Sequence, residues 1–141
     1  MGTISKNFDY KEFESSDTAD HLGITNVIAS FEVRDSIKAL ADEVLQPLRD
    51  AWGKPLKINS GYRCPALNRA VGGVESSQHV KGEAADVACD TPLELARLAR
   101  DLNLPYDQMI IYPNFVHISH KLEGRQRKQI LYNRRYTGKK L

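Results

Sequence analysis

From Val33 onward the apolar positions fall at Ile37, Leu40, Ala41, Val44, Leu45 and Leu48, the three-and-four spacing of one buried helical face. Asn26 or Ser30 supplies the cap of this helix, and Pro47, in its last turns, kinks or ends it. After Trp52-Gly53-Lys54-Pro55 the pattern shortens to a β-like run, Leu56-Lys57-Ile58-Asn59-Ser60, which Gly61 breaks. Residues 65–76 are rich in small side chains and carry Gly72-Gly73, which suits a loop or short helix followed by a turn. Ala84 to Ala88 is a second short strand. Thr91-Pro92-Leu93-Glu94 reads as a capping box with proline at the first helical position, opening a helix that buries Leu95, Leu98, Ala99 and Leu102. Met109 to Tyr112 and Phe115 to Ile118 read as two strands joined through Pro113-Asn114. Helices come first and short strands later, without a βαβ rhythm, so the pattern predicts an α+β fold. No internal repeat is visible.

The ends read differently from the middle. Residues 1–25 are polar and form an arm anchored by Phe8, Tyr10 and Phe13. Lys121, Arg125, Arg127, Lys128, Arg134, Arg135, Lys139 and Lys140 gather in residues 121–141, a solvated basic tail, with a weak grip on anionic polymer or phospholipid as the alternative. The whole, 1–141, is long enough for one domain with one core. Hydrophobic residues make up 41% and charged residues 27%, an ordinary globular mixture. A net charge of +2 is too small to argue for nucleic acid. No apolar run approaches the ~18 residues of a membrane span. The N-terminal string MGTISKNFDYKEFE has no basic-then-apolar leader pattern, so synthesis in the cytoplasm is expected. Cys64 and Cys89 lie 25 positions apart, outside any CxxC pair, and read as free thiols, although they could meet in the fold.

Four histidines occur, His21, His79, His117 and His120, and two of them sit in informative settings. In Ser77-Gln78-His79-Val80-Lys81-Gly82-Glu83-Ala84-Ala85-Asp86 a histidine and an aspartate seven apart converge if the chain turns at Gly82 and enters a strand at Ala84. A lone pair of this kind is ordinarily a structural hydrogen bond. His117, flanked by Val116 and Ile118, is ordinarily a satisfied core histidine. Together, two imidazoles and a carboxylate make three ligands and leave a tetrahedral zinc one position for a water that ionises near neutral pH.

The string Ser77-x-His79-x-x-Gly82-x-Ala84-x-Asp86, followed by Val116-His117-Ile118-Ser119, resembles the zinc D-alanyl-D-alanine carboxypeptidase family. The likeness extends through Ser60-Gly61-Tyr62-Arg63, Asn68, Val71-Gly72-Gly73 and Tyr106-Asp107-Gln108-Met109-Ile110. That family includes vancomycin-resistance dipeptidases and phage endolysins that cut L-alanyl-D-glutamate bonds, and it shares its fold with the Hedgehog signalling domain. The resemblance implies a small antiparallel sheet packed against helices and one zinc ion held by His79, Asp86 and His117. It gives Arg63 the task of holding a substrate carboxylate or polarising a carbonyl, for which a guanidinium fork is suited. Ser77, beside the first ligand, is a candidate substrate contact with loop shaping as its alternative, Tyr112 and Asn114 are further candidate substrate contacts, and Gln78 and Ser119 are candidate partners for the outer nitrogens of the ligating imidazoles. The implied substrate is the peptidoglycan stem peptide, met by a monomer at the bacterial cell wall after release or another delivery route.

One departure matters. Many relatives carry Glu or His a few positions before the third ligand as general base, and here Tyr112, Pro113 and Asn114 stand there. Asp107 is the nearest upstream carboxylate and is the candidate base, with a turn-capping role as its alternative. Glu83, out of phase with Asp86, points away from the metal, and His120 is placed on the surface. The missing base also suits a second function, a zinc-stabilised module that binds cell-wall peptide without turnover. A cysteine hydrolase built on Cys64 and His79 fits least, since nothing activates that thiol.

Overall fold

The computed structural model describes residues 2–141. Two short strands, β1 (Thr3–Ser5) and β2 (Phe8–Asp9), pair antiparallel and lead into α1 (Tyr10–Glu14) and α2 (Asp17–Leu22). Phe8, Tyr10 and Phe13 are buried, so the arm is pinned to the core by its aromatics. The main helix begins at α3 (Phe31–Leu40), passes through a π-turn at Ala41–Leu45 and continues as α4 (Gln46–Trp52). Ser30 caps it by accepting from the Val33 N–H at 3.0 Å. Pro47 neither ends nor caps this helix. In the π-turn the Gln46 N–H reaches back to the Ala41 carbonyl, and the widened turn absorbs the ring that would clash in a regular helix. The buried face contains Ile37, Leu40, Ala41, Val44, Leu45 and Leu48, the residues of the sequence periodicity.

The remaining elements are β3 (Lys57–Ser60), α5 (Pro65–Ala70), β4 (Ala84–Ala88), α6 (Pro92–Asp101), β5 (Gln108–Ile111), β6 (Phe115–Ser119) and β7 (Gln129–Tyr132). The five later strands form one sheet in the order β3-β4-β6-β5-β7. Every pair is antiparallel except β5 with β7, which is parallel. The sheet is therefore mixed at one edge, because the chain leaves β6 beside Gln108 at the start of β5 and returns to that same end as Gln129, so β7 runs with β5. Ile130 and Tyr132 pack against the core from that strand.

Alternation along the strands sends Ala85, Val87, Met109, Ile111, Val116 and Ile118 into the same core as the helices. Helix α6 buries Leu95, Ala96 and Ala99 there, whereas Leu102 lies beyond its last turn and is 43% exposed. Thr91 makes no side-chain cap, so proline at the helix start is the part of the capping-box reading that survives. Both cysteines are free. No helix among the described residues is long and apolar enough to cross a membrane. With α3, α4 and α6 packed in the core on one face, the opposite face of the sheet is left for chemistry.

Candidate metal centre

The site is built on a row of residues in register. Asp86 on β4 stands opposite His117 on β6, and His117 stands opposite Ile110 on β5. Their neighbours along each strand fill the core, so these three side chains point to the other face. His79 arrives from a chain of tight turns, in which Val80, Lys81 and Gly82 N–H groups donate to the Ser77, Gln78 and His79 carbonyls. Gly82 has φ +75°, and a Cβ there would lie 2.7 Å from the Val33 carbonyl oxygen. The reversal that carries the chain from His79 into β4 thus requires glycine at this position.

The end of β3 holds the first ligand from behind. His79 Nδ1 donates to the Gly61 carbonyl at 2.7 Å, and the Arg63 N–H donates to the His79 carbonyl at 3.1 Å. The outer partner of this imidazole is therefore a backbone oxygen, not Gln78 or Ser119. Gln78 instead donates to Glu83 and Asp107, and the Ser119 hydroxyl faces the Gln108 carbonyl. Asn26, considered above as a helix cap, is buried: it donates to the Glu14 and Tyr62 carbonyls and accepts from the Cys64 N–H. It locks the loop that presents Gly61 and Arg63.

His79 Nε2 and His117 Nδ1 lie 3.3 and 3.0 Å from Asp86 Oδ1. One ligand atom from each of the three residues falls within 4.8 Å of the others. Burial pushes the Asp86 carboxyl upward, but hydrogen bonds and charge from His117 and His79 override it and hold the group well below the usual carboxylate range. An ionised carboxylate between two imidazoles, one already oriented by a backbone carbonyl, is the donor set of a three-ligand zinc site.

A cavity of about 660 Å³ opens over this triad. Arg63, Ser77, Gln78, Tyr112, Gln108 and Arg127 are among its lining residues. Arg63 is fixed from three sides: Nε donates to the Ser60 hydroxyl, one terminal nitrogen donates to Asn68 Oδ1, and the other lies 3.7 Å from Asp86 Oδ2. Gly73 makes this possible, since a Cβ there would sit 2.2 Å from Asn68 Oδ1. Burial lowers the Arg63 pKa from its ordinary value, with Asp86 opposing the shift. Burial raises the Tyr112 phenol, and the Asp86 charge adds to the effect. Tyr112 therefore presents a hydroxyl that donates hydrogen bonds. Ser77 accepts from the His79 N–H at 3.2 Å, a bond that shapes the loop.

Three site expectations need correction. Asp107 is fully buried and does not line the cavity. Both its oxygens face the Arg127 guanidinium, at 2.8 Å from Nη2 and 3.1 Å from Nε, and Oδ1 also accepts the Arg127 N–H. Burial would raise this carboxyl, but the Arg127 bonds win and lower it, which makes it a poor proton acceptor. Asn114 is exposed in the β5–β6 turn, where its carbonyl accepts from the Cys89 N–H, and it does not line the cavity. His120 is buried, with Nδ1 donating to the Pro105 carbonyl at 2.7 Å. Arg127 is the charged lining residue that sequence reasoning missed. Its one signal was the short apolar run Ile130-Leu131-Tyr132 behind a charged stretch.

A sheet with helices on one face and a His-Asp-His donor set on the other defines a metallopeptidase-type site. Residues 6–119 match the family described as peptidase M15, and the chain belongs to that family. Over 60 residues it is 40% identical to the zinc D-Ala-D-Ala carboxypeptidase of Streptomyces albus G. This match covers 40% of the chain and 24% of that relative, so the chain spans only a minor part of the relative's length. Zinc is the ion that the donor set and this kinship support.

Proposed function

We propose that this protein hydrolyses a D-amino-acid-containing bond of the peptidoglycan stem peptide at the bacterial cell wall, acting as a monomer. The observation that carries the reading is the convergence of His79, Asp86 and His117 beneath a cavity where Arg63 stands 3.7 Å from Asp86. The name of the Streptomyces relative supports the D-residue preference.

When bound, zinc supplies Lewis acidity and a water of lowered pKa. The chain's own residues then supply binding and charge stabilisation. Arg63, held rigid by Ser60 and Asn68, offers its remaining N–H groups to a substrate carboxylate or to a carbonyl that gains negative charge. Tyr112 lies on the same cavity wall and donates a hydrogen bond to the substrate. Asp86 stays ionised and would hold the ion together with His79 and His117. The Gly61 carbonyl holds the His79 tautomer that leaves Nε2 free to coordinate.

One observation favours the second reading, a zinc-stabilised module that binds wall peptide without cutting it. Among the cavity-lining residues, the ligands aside, no carboxylate or imidazole is available as a general base. Digestion of purified peptidoglycan with zinc-loaded protein, followed by mass spectrometry, separates the two. The peptidase reading expects soluble stem-peptide fragments with a new terminus beside a D-residue. Co-sedimentation with the wall and no fragments would establish the binding module instead.

A further inference from the structure

Arg127 lies beyond the matched residues 6–119, and its placement asks for a function. It sits two residues before β7, at the sheet edge opposite Arg63, which follows β3. Between these edges, in strand order, come Asp86 on β4, His117 on β6 and Ile110 on β5. The cavity therefore runs across the strands with the metal ligands in its middle and a guanidinium toward each side. Arg63 has Asp86 beside it as a charge partner inside the cavity. The partner of Arg127, Asp107, is wholly buried behind the wall, while the Arg127 side chain is 47% exposed.

Asp107 does not exhaust this arginine. It takes the backbone N–H, Nε and one hydrogen of Nη2, and among the described residues no bond engages Nη1. Of the five N–H donors of a guanidinium, three remain for a ligand. The geometry is that of a fork clamped from behind, with its orientation set before anything binds, which lowers the cost of recognising a planar carboxylate. The lining side chains carry two arginines against one carboxylate, Asp86, and a bound divalent cation makes the balance more positive still.

We infer that Arg127 is a specificity-determining residue that reads a free carboxylate on the substrate, remote from the scissile bond, and that Asp107 is its positioning residue. The inference rests on the peptidase reading above and names the chemistry of its substrate: a peptide carrying a carboxylate away from the cut. Two inter-strand steps separate β6 from β7, about 10 Å. An extended peptide covers that span in about three residues, or in fewer if a side chain bears the carboxylate.

The test uses zinc-loaded full-length protein and two synthetic D-residue-containing stem peptides. They are identical except that the remote carboxylate of one is a carboxamide in the other. Affinity is measured by calorimetry and cleavage by chromatography. Wild type is expected to bind the carboxylate peptide about tenfold or more tightly than the amide, and Arg127→Gln to bind the two within about twofold of each other. Arg127→Lys, which keeps charge and loses the fork, falls between. Where cleavage occurs, the variant's loss appears in KM rather than kcat. Because Arg127→Gln removes the guanidinium from buried Asp107 and leaves it Gln78, a backbone N–H and Lys121 at 3.9 Å, the double variant Asp107→Asn/Arg127→Gln carries the same comparison if the single variant does not fold. An unchanged carboxylate preference in these variants, or no preference in wild type, overturns the inference. Tight, Arg127-dependent binding with no cleavage of either peptide upholds it while refuting the peptidase reading.

Discussion

At the scale of single residues, the site depends on side chains fixed from outside it. Arg63 is placed by Ser60, Asn68 and the space left at Gly73, and its planar fork is what those contacts orient. Arg63→Lys keeps a positive charge and loses the fork, so bound zinc is expected to stay near one per chain by elemental analysis. Turnover of a stem peptide should fall about tenfold or more, ~1.4 kcal/mol of transition-state stabilisation. Unchanged turnover would move the substrate carboxylate to another group. The candidate metal ligands were legible through the resemblance their motifs carry, and the structure brings His79, Asp86 and His117 together. The partner of His79 was not, since a backbone carbonyl such as that of Gly61 leaves no mark in a sequence.

Among the elements, β7 carries the largest departure from the sequence reading. The charges on either side of it suggested solvent, yet Gln129–Tyr132 pairs in parallel with β5, and Asp107 clamps the approach to it through Arg127. A lone aspartate upstream of the third ligand looked like a base for lack of other candidates. Burial and a cationic partner from 20 residues away remove it from that role. The ion pair makes a stability prediction. The folded-state pKa of Asp107 is depressed, so its contribution is fully present above the ordinary carboxylate value of 3.8 and is lost as pH falls below it. Asp107→Asn is expected to lower unfolding stability by about 2 kcal/mol at pH 7, between the small worth of an exposed pair and the larger cost of breaking a buried one. Urea titrations should show the gap between wild type and variant closing as pH falls below the ordinary carboxylate value. A gap that stays constant there would mean that the carboxylate charge contributes nothing to folding.

For the whole molecule, the three ligands come from the turn after α5, from β4 and from β6, so an ion bound between them ties distant segments together. Zinc at 100 times its dissociation constant should add about 2.7 kcal/mol, or roughly 10 °C in Tm for a domain of this size. Differential scanning calorimetry with and without chelator measures this. The gain should vanish in Asp86→Ala, whose metal-free form is the proper reference; an equal gain in that variant would place the zinc elsewhere. Sequence alone determined the α+β character, the helix burying Ile37 to Leu48 and the central strands, and the resemblance of its motifs singled out three candidate ligands that the structure brings together. Each rests on local periodicity or on a motif read along the chain. Tertiary structure alone decided that β7 closes the sheet, that Asp107 serves Arg127 rather than the metal, and that His120 is buried while Asn114 faces water. Those outcomes depend on which segments meet across the sheet, and a polar side chain's role follows from the partner it meets.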